Sequence, residues 1–130
     1  MIYLDSSALM KLVREEAETK ALSDWLASQP EQPVVTSELG RVELLRAARR
    51  AGAEALIEAH ALIGDVDLVP LDRGVQDLAC EIGEPPLRTL DALHLASAVL
   101  LGHELTAFVA YDGRLAAAAR ALGLPAVAPT

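Results

Sequence analysis

The chain has 130 residues, a length that builds one hydrophobic core and not two. Its apolar fraction of 52% excludes a disordered chain, its aromatic fraction of 3% argues against exposed base-stacking platforms, and its net charge of −8 argues against a general nucleic-acid coat protein.

Ile2-Tyr3-Leu4 is a short apolar run, and Asp5-Ser6-Ser7 behind it caps a helix expected over Ala8–Val13. Helical spacing of Ala17, Leu22, Trp25 and Leu26 predicts a second helix over Glu16–Ser28, which Pro30 and Pro33 separate from a strand at Val34-Val35. Thr36 and Ser37 are cap candidates for a third helix running to about Arg50 and closed by Gly52. A fourth helix is expected over Ala53–Ile63 and a third strand over Val66–Val69. Asp72 starts a helix that reaches Ile82 and stops ahead of Gly83 and Pro85-Pro86. Leu90–Leu101 reads as a helix ended by Gly102, Ala107–Tyr111 as a strand feeding a helix at Asp112, and Pro125–Val127 as a last strand. Short strands alternating with helices predict a parallel sheet covered on both faces, a three-layer α/β/α sandwich in one domain over residues 1–130. Cys80 is the lone cysteine and is expected to be a buried thiol in a reducing cytoplasm, and no run is long and apolar enough for a membrane span.

Three acids stand where segments begin or end: Asp5 and Asp112 after strand-like runs, and Asp91 at the head of an apolar helix. In a parallel sheet these places share the carboxyl edge, so the three acids can meet there. Glu43, on the third helix, is the fourth candidate. Each has a structural explanation as well. Asp5 and Asp112 are good helix caps, Asp91 suits a positive helix start, and Glu43 has Arg46 and Arg50 within helical reach as ion-pair partners. Carboxylates about 4 Å apart repel by roughly 4 kcal/mol per pair at an effective dielectric near 20, so a cluster of them calls for positive charge. Lys11 and Lys20 are the only lysines, which leaves a divalent metal as the best neutraliser. Hard oxygen donors without convergent Cys or His suit Mg²⁺ or Mn²⁺ rather than Zn²⁺, and such ions promote in-line phosphodiester hydrolysis. His94, three residues after Asp91, is read either as a group supporting the acids or as a hydrogen-bonded core histidine. Arg41, Arg46, Arg49 and Arg50 form a local basic group that RNA phosphates could contact.

The runs Ile2-Tyr3-Leu4-Asp5-Ser6-Ser7-Ala8-Leu9, Val42-Glu43-Leu44, Leu90-Asp91-Ala92-Leu93-His94-Leu95-Ala96 and Tyr111-Asp112-Gly113-Arg114-Leu115, in that order, resemble the PIN-domain ribonucleases and their VapC toxin branch. The resemblance extends from Met1 to about Pro129. It implies that Asp5, Glu43, Asp91 and Asp112 form an acidic Mg²⁺ or Mn²⁺ site, with Ser7 and Ser37 as hydroxyls near it. It also implies an endoribonuclease acting on structured RNA such as tRNA or rRNA, a homodimer, and a cognate VapB-like antitoxin.

Other acidic-edge folds fit less well. A response-regulator receiver needs paired acids after its first strand and a late lysine, a haloacid-dehalogenase-type phosphatase needs Asp-x-Asp where Ser7 stands, and nucleotide-binding folds need a glycine-rich first turn. A catalytically silent PIN-like module that binds RNA or protein is the remaining alternative.

Overall fold

Side chains alternate across the short strands and divide the apolar residues between two cores. The computed structural model describes Met1–Thr130. Its strands are β1 (Ile2–Leu4), β2 (Val34–Ser37), β3 (Asp67–Val69), β4 (Ala107–Val109) and β5 (Ala126–Val127). They form one sheet in the order β3-β2-β1-β4-β5, with every neighbouring pair parallel.

Ile2, Leu4, Ala107 and Val109 face one core. That layer contains α1 (Ser6–Val13), α2 (Thr19–Ala27), α3 (Glu38–Ala51) and α4 (Ala53–Gly64), which contribute Leu9, Leu22, Leu44, Ala48 and Ala59. Tyr3, Val35 and Phe108 face the other core, against Leu95 and Ala98 of α6 (Thr89–Val99) and Leu115 and Ala119 of α7 (Gly113–Ala121). The short α5 (Arg73–Ala79) packs beside α6. Helices therefore cover both faces of a parallel sheet, in the three layers the alternating pattern predicts. Each fully buried Leu contributes roughly 1.5–3 kcal/mol, so these two aliphatic cores hold the sheet edges in register.

Several boundaries differ from the sequence expectation, each for a local reason. The second helix begins at Thr19 rather than Glu16, because Glu16 and Glu18 turn back to the Lys11 ammonium at 2.7 and 2.8 Å. Thr36 is not a cap: its hydroxyl donates to the Leu4 carbonyl at 2.7 Å, tying β2 to β1, and Ser37 alone caps α3 by accepting from the Gly40 amide at 3.0 Å. The helix begun by Asp72 ends at Ala79 instead of Ile82, ahead of a turn in which Gly83 takes a φ of 76°. That early end corrects the expected burial of Cys80. The thiol lies past the last helical residue, on an exposed turn. β4 stops at Val109, so Ala110 and Tyr111 form a connection into α7 rather than the end of a strand.

Candidate active site

The strand order reverses between β1 and β4: from β1 the chain proceeds outward through β2 and β3, and from β4 it proceeds the other way to β5. At such a reversal the loops leaving the two strands diverge and open a crevice at the carboxyl edge of the sheet. Asp5 follows β1 and Asp112 follows the β4 connection, so the topology puts both acids at this crevice. Asp91 comes from the first turn of α6 and Glu43 from the second turn of α3. All four line one cleft of about 340 Å³, together with Ser6, Ser7, Arg88, Thr89 and His94. No three of these groups lie close enough to hold an ion as they stand.

Local hydrogen bonds fix the two strand-end acids. Asp5 caps α1: its Oδ1 accepts from the Ala8 amide at 2.9 Å and from the Ser7 hydroxyl at 2.6 Å. Ser7 Oγ in turn accepts from the Tyr111 amide at 3.1 Å. Asp112 caps α7, accepting from the amides of Arg114 and Leu115 at 2.9 and 3.2 Å. Capping explains where each carboxylate sits, but it uses only Oδ1 of each.

Burial, with a smaller contribution from Glu43, raises the Asp5 pKa above the ordinary carboxylate value, against the lowering effect of its bonds from Ser7 and Ala8. Burial also raises that of Asp91, and the neighbouring Asp112 charge pushes it further up. Arg88 is the one Lys or Arg lining the cleft, and its pull on Asp91 is too weak to cancel these effects. The cleft is thus a pocket of hard oxygen donors short of positive charge.

His94 is 2% exposed and spans from the core to the cleft. Its Nδ1 lies 2.7 Å from the Tyr3 hydroxyl and its Nε2 lies 2.6 Å from Glu43 Oε1. It is therefore both a satisfied core histidine and a direct neighbour of one acid. Glu43 is engaged by this ring and not by Arg46, which corrects the alternative of an Arg46 ion pair.

Ser37 is fully buried at the start of α3, caps that helix and does not line the cleft. Arg41, Arg46, Arg49 and Arg50 are exposed on α3 and line separate surface depressions, the first three together with Val42, Leu45 and Leu56. A rise of about 1.5 Å per residue carries Arg50 roughly 10 Å along the helix from Glu43, which accounts for the separation. Tyr3, which contacts His94 from the core, and Arg88, which lines the cleft, were not singled out from sequence. Tyr3 carries a signal in retrospect, because a tyrosine on a strand buried on both faces must find a partner for its hydroxyl. Arg88 stands in the sequence just ahead of Asp91, but nothing local indicates that it turns into the cleft.

The PIN domain family model matches residues 2–121 of the chain. Ribonuclease VapC47 of Mycobacterium tuberculosis (strain CDC 1551 / Oshkosh) is 46% identical over 132 aligned positions, covering 99% of this chain and 97% of its own. Among solved structures, Mycobacterium tuberculosis VapC20, described as a sarcin-ricin loop cleaving toxin, superposes with a TM-score of 0.75 at 23% identity, covering 99% of this chain and 100% of that one. A toxin-antitoxin complex from Klebsiella pneumoniae superposes with a TM-score of 0.74 at 18% identity, over 100% of this chain and 98% of that one. With the parallel sheet, the cleft at its reversal and this full-length identity, the chain belongs to the PIN-domain family and, within it, to the VapC ribonucleases.

Proposed function

We propose that the chain is the toxin of a toxin–antitoxin pair, a Mg²⁺- or Mn²⁺-dependent endoribonuclease that cuts tRNA or rRNA and thereby stops translation in the cytoplasm. The observation that carries this reading is the arrival of Asp5, Glu43, Asp91 and Asp112, from four separate segments, on one cleft. Their chemistry fits a hard divalent cation. All donors are carboxylate oxygens, burial and the neighbouring acids raise the pKa values of Asp5 and Asp91, and Mg²⁺ keeps several waters while taking one or two carboxylates. Spaced carboxylates suit a hydrated ion better than a closed cage would.

Bound there, the cation supplies charge stabilisation for phosphate oxygens and acidifies an attacking water. The chain's own part is orientation. Ser7 and the Ala8 amide hold Asp5 by one oxygen, His94 holds Glu43 by one oxygen, and in each case the second oxygen is free of protein hydrogen bonds. Arg88, at the head of α6, is placed to meet a phosphate entering beside Asp91. The arginines of α3 lie outside the cleft and contribute, in this reading, to a longer RNA track.

A cognate VapB-like antitoxin is the expected partner, in line with the toxin–antitoxin complexes that share the fold, and a homodimer is the expected assembly. Purified protein incubated with tRNA and rRNA should generate new 5′ ends with Mg²⁺ or Mn²⁺, none with EDTA, and none with the Asp5→Asn variant. RNA binding without any cleavage under those conditions would instead identify a silent binding module.

A further inference from the structure

Glu43 is held by a chain of contacts that starts in the hydrophobic core. Tyr3 is fully buried on β1, two residues before Asp5, and its ring stacks on Phe108 with centroids 5.2 Å apart and planes 7° from parallel. The His94 ring meets Tyr3 edge-on at 83°. Packing thus leaves neither ring free to turn, and the Tyr3 hydroxyl, the His94 imidazole and the Glu43 carboxylate follow one another at 2.7 and 2.6 Å. No buried side-chain nitrogen or oxygen in the protein is without a partner.

For a neutral His94 ring, one order of donors along this chain satisfies both contacts. Burial raises the Tyr3 pKa above its ordinary value, so the hydroxyl keeps its proton and can donate it to Nδ1. A neutral imidazole that accepts at Nδ1 carries its proton on Nε2, where it donates to Glu43 Oε1. The opposite tautomer would place a nitrogen lone pair 2.6 Å from a carboxylate oxygen, which is repulsive.

We propose that Tyr3 and His94 are a positioning pair for Glu43: the Tyr3 hydroxyl selects the His94 tautomer whose Nε2–H holds one Glu43 oxygen and leaves the other turned to the cleft. A glutamate on a half-exposed helix face otherwise samples many rotamers, and fixing it in advance removes that ordering cost from ion binding. The inference rests on the functional reading in which Glu43 belongs to a metal site. Its contribution is the device that sets Glu43, built from a strand and a helix on the opposite side of the sheet from the α3 layer.

Tyr3→Phe keeps the stacked ring and removes only the hydroxyl. In metal-free protein, ¹⁵N NMR of the His94 ring should show a single Nε2–H tautomer in the parent and a mixture in Tyr3→Phe. Mn²⁺ affinity measured by calorimetry should fall about tenfold in Tyr3→Phe and further in His94→Leu, whereas His94→Gln, which keeps an N–H donor, should recover part of the loss. In the His94→Leu background, adding Tyr3→Phe should lower Mn²⁺ affinity no further, because Tyr3 acts through the ring. Cleavage should lose kcat with little change in KM. An unaltered tautomer and unaltered Mn²⁺ affinity in a folded Tyr3→Phe protein would overturn the pair, as would additive losses in the double variant. A parent that binds no Mn²⁺ removes the functional reading and this inference together; a parent and a Tyr3→Phe variant that bind it equally well remove this inference alone.

Discussion

The Ser7 hydroxyl accepts from the Tyr111 amide at 3.1 Å across 104 residues of sequence while donating to Asp5 at 2.6 Å. This one side chain staples the end of β1 to the connection leaving β4, and so sets the distance between the Asp5 and Asp112 sides of the cleft. Ser7→Ala would orphan the Tyr111 amide and remove a donor from the Asp5 carboxylate, whose pKa should rise further because that bond lowers it. The expected cost is about 1–3 kcal/mol in urea unfolding. A cleavage rate close to the parent's in a folded Ser7→Ala protein would show that the staple does not govern the cleft.

Asp5 should make the metal-free fold less stable as pH rises. Its folded pKa and that of Asp91 are raised chiefly by burial, so both carboxyls bind protons more tightly in the folded chain than in the unfolded one. The stability this provides is full below the unfolded carboxylate pKa and is lost as pH rises through the raised folded values. In EDTA, Asp5→Asn should therefore be more stable than the parent near neutrality, and the gap should narrow on acidification toward the ordinary carboxylate range. Mn²⁺ should raise the melting temperature of the parent and do so less for Asp5→Asn. A gap that does not vary with pH would count against a strained, buried Asp5.

Gly40 should resist replacement although alanine is the better helix former. A Cβ at this position would collide with the Thr36 hydroxyl, which is itself donating to the Leu4 carbonyl between β2 and β1. Either α3 lifts or that bond breaks. Gly40→Ala is expected to destabilise by about 1–3 kcal/mol in denaturant titrations, and Gly40→Ala combined with Thr36→Val should not recover the parent's stability, because the β-branched side chain still fills the space. A Gly40→Ala variant as stable as the parent would mean that α3 adjusts freely, and with it Glu43.

Arg49 and Arg50 test the RNA track. Replacing both with Ala should weaken RNA binding and flatten its salt dependence while leaving cleavage of bound RNA at saturation nearly unchanged, since neither residue lines the cleft. Filter binding across a salt series would decide this; an unchanged affinity and slope would send the RNA over another face, through Arg88.

The parts of this molecule that could be read from the sequence are those whose physics is local. Asp5, Ser37, Asp72 and Asp112 stand at helix starts because each offers an acceptor to amides two or three residues on, an interaction contained within one short window. The order of strands and helices follows from equally local periodicity, and the shared carboxyl edge follows from a parallel sheet, whereas the place of the reversal between β1 and β4 does not. What could not be read depends on partners far apart in the chain. Tyr3 and His94 are separated by 91 residues, and Glu43 and His94 by 51, so the helical neighbours of Glu43 suggested Arg46 while the fold supplies an imidazole. Cys80 misled for a different reason: a lone free thiol is most often buried, whereas this one lies just past the end of α5 on an exposed turn.

The reversal of strand order also dictates when the cleft comes into being. β1, β2 and β3, with Asp5 and Glu43, are complete by Val69, whereas Asp91 and Asp112 come later in the chain, and β4, the partner that closes the sheet against β1, is followed only by α7 and β5. A chain emerging from the ribosome therefore presents two of the four acids for most of its synthesis and cannot gather the set until nearly all of it has been made. By this ordering of its segments, the acidic cleft of the ribonuclease is among the last parts of the fold to be completed.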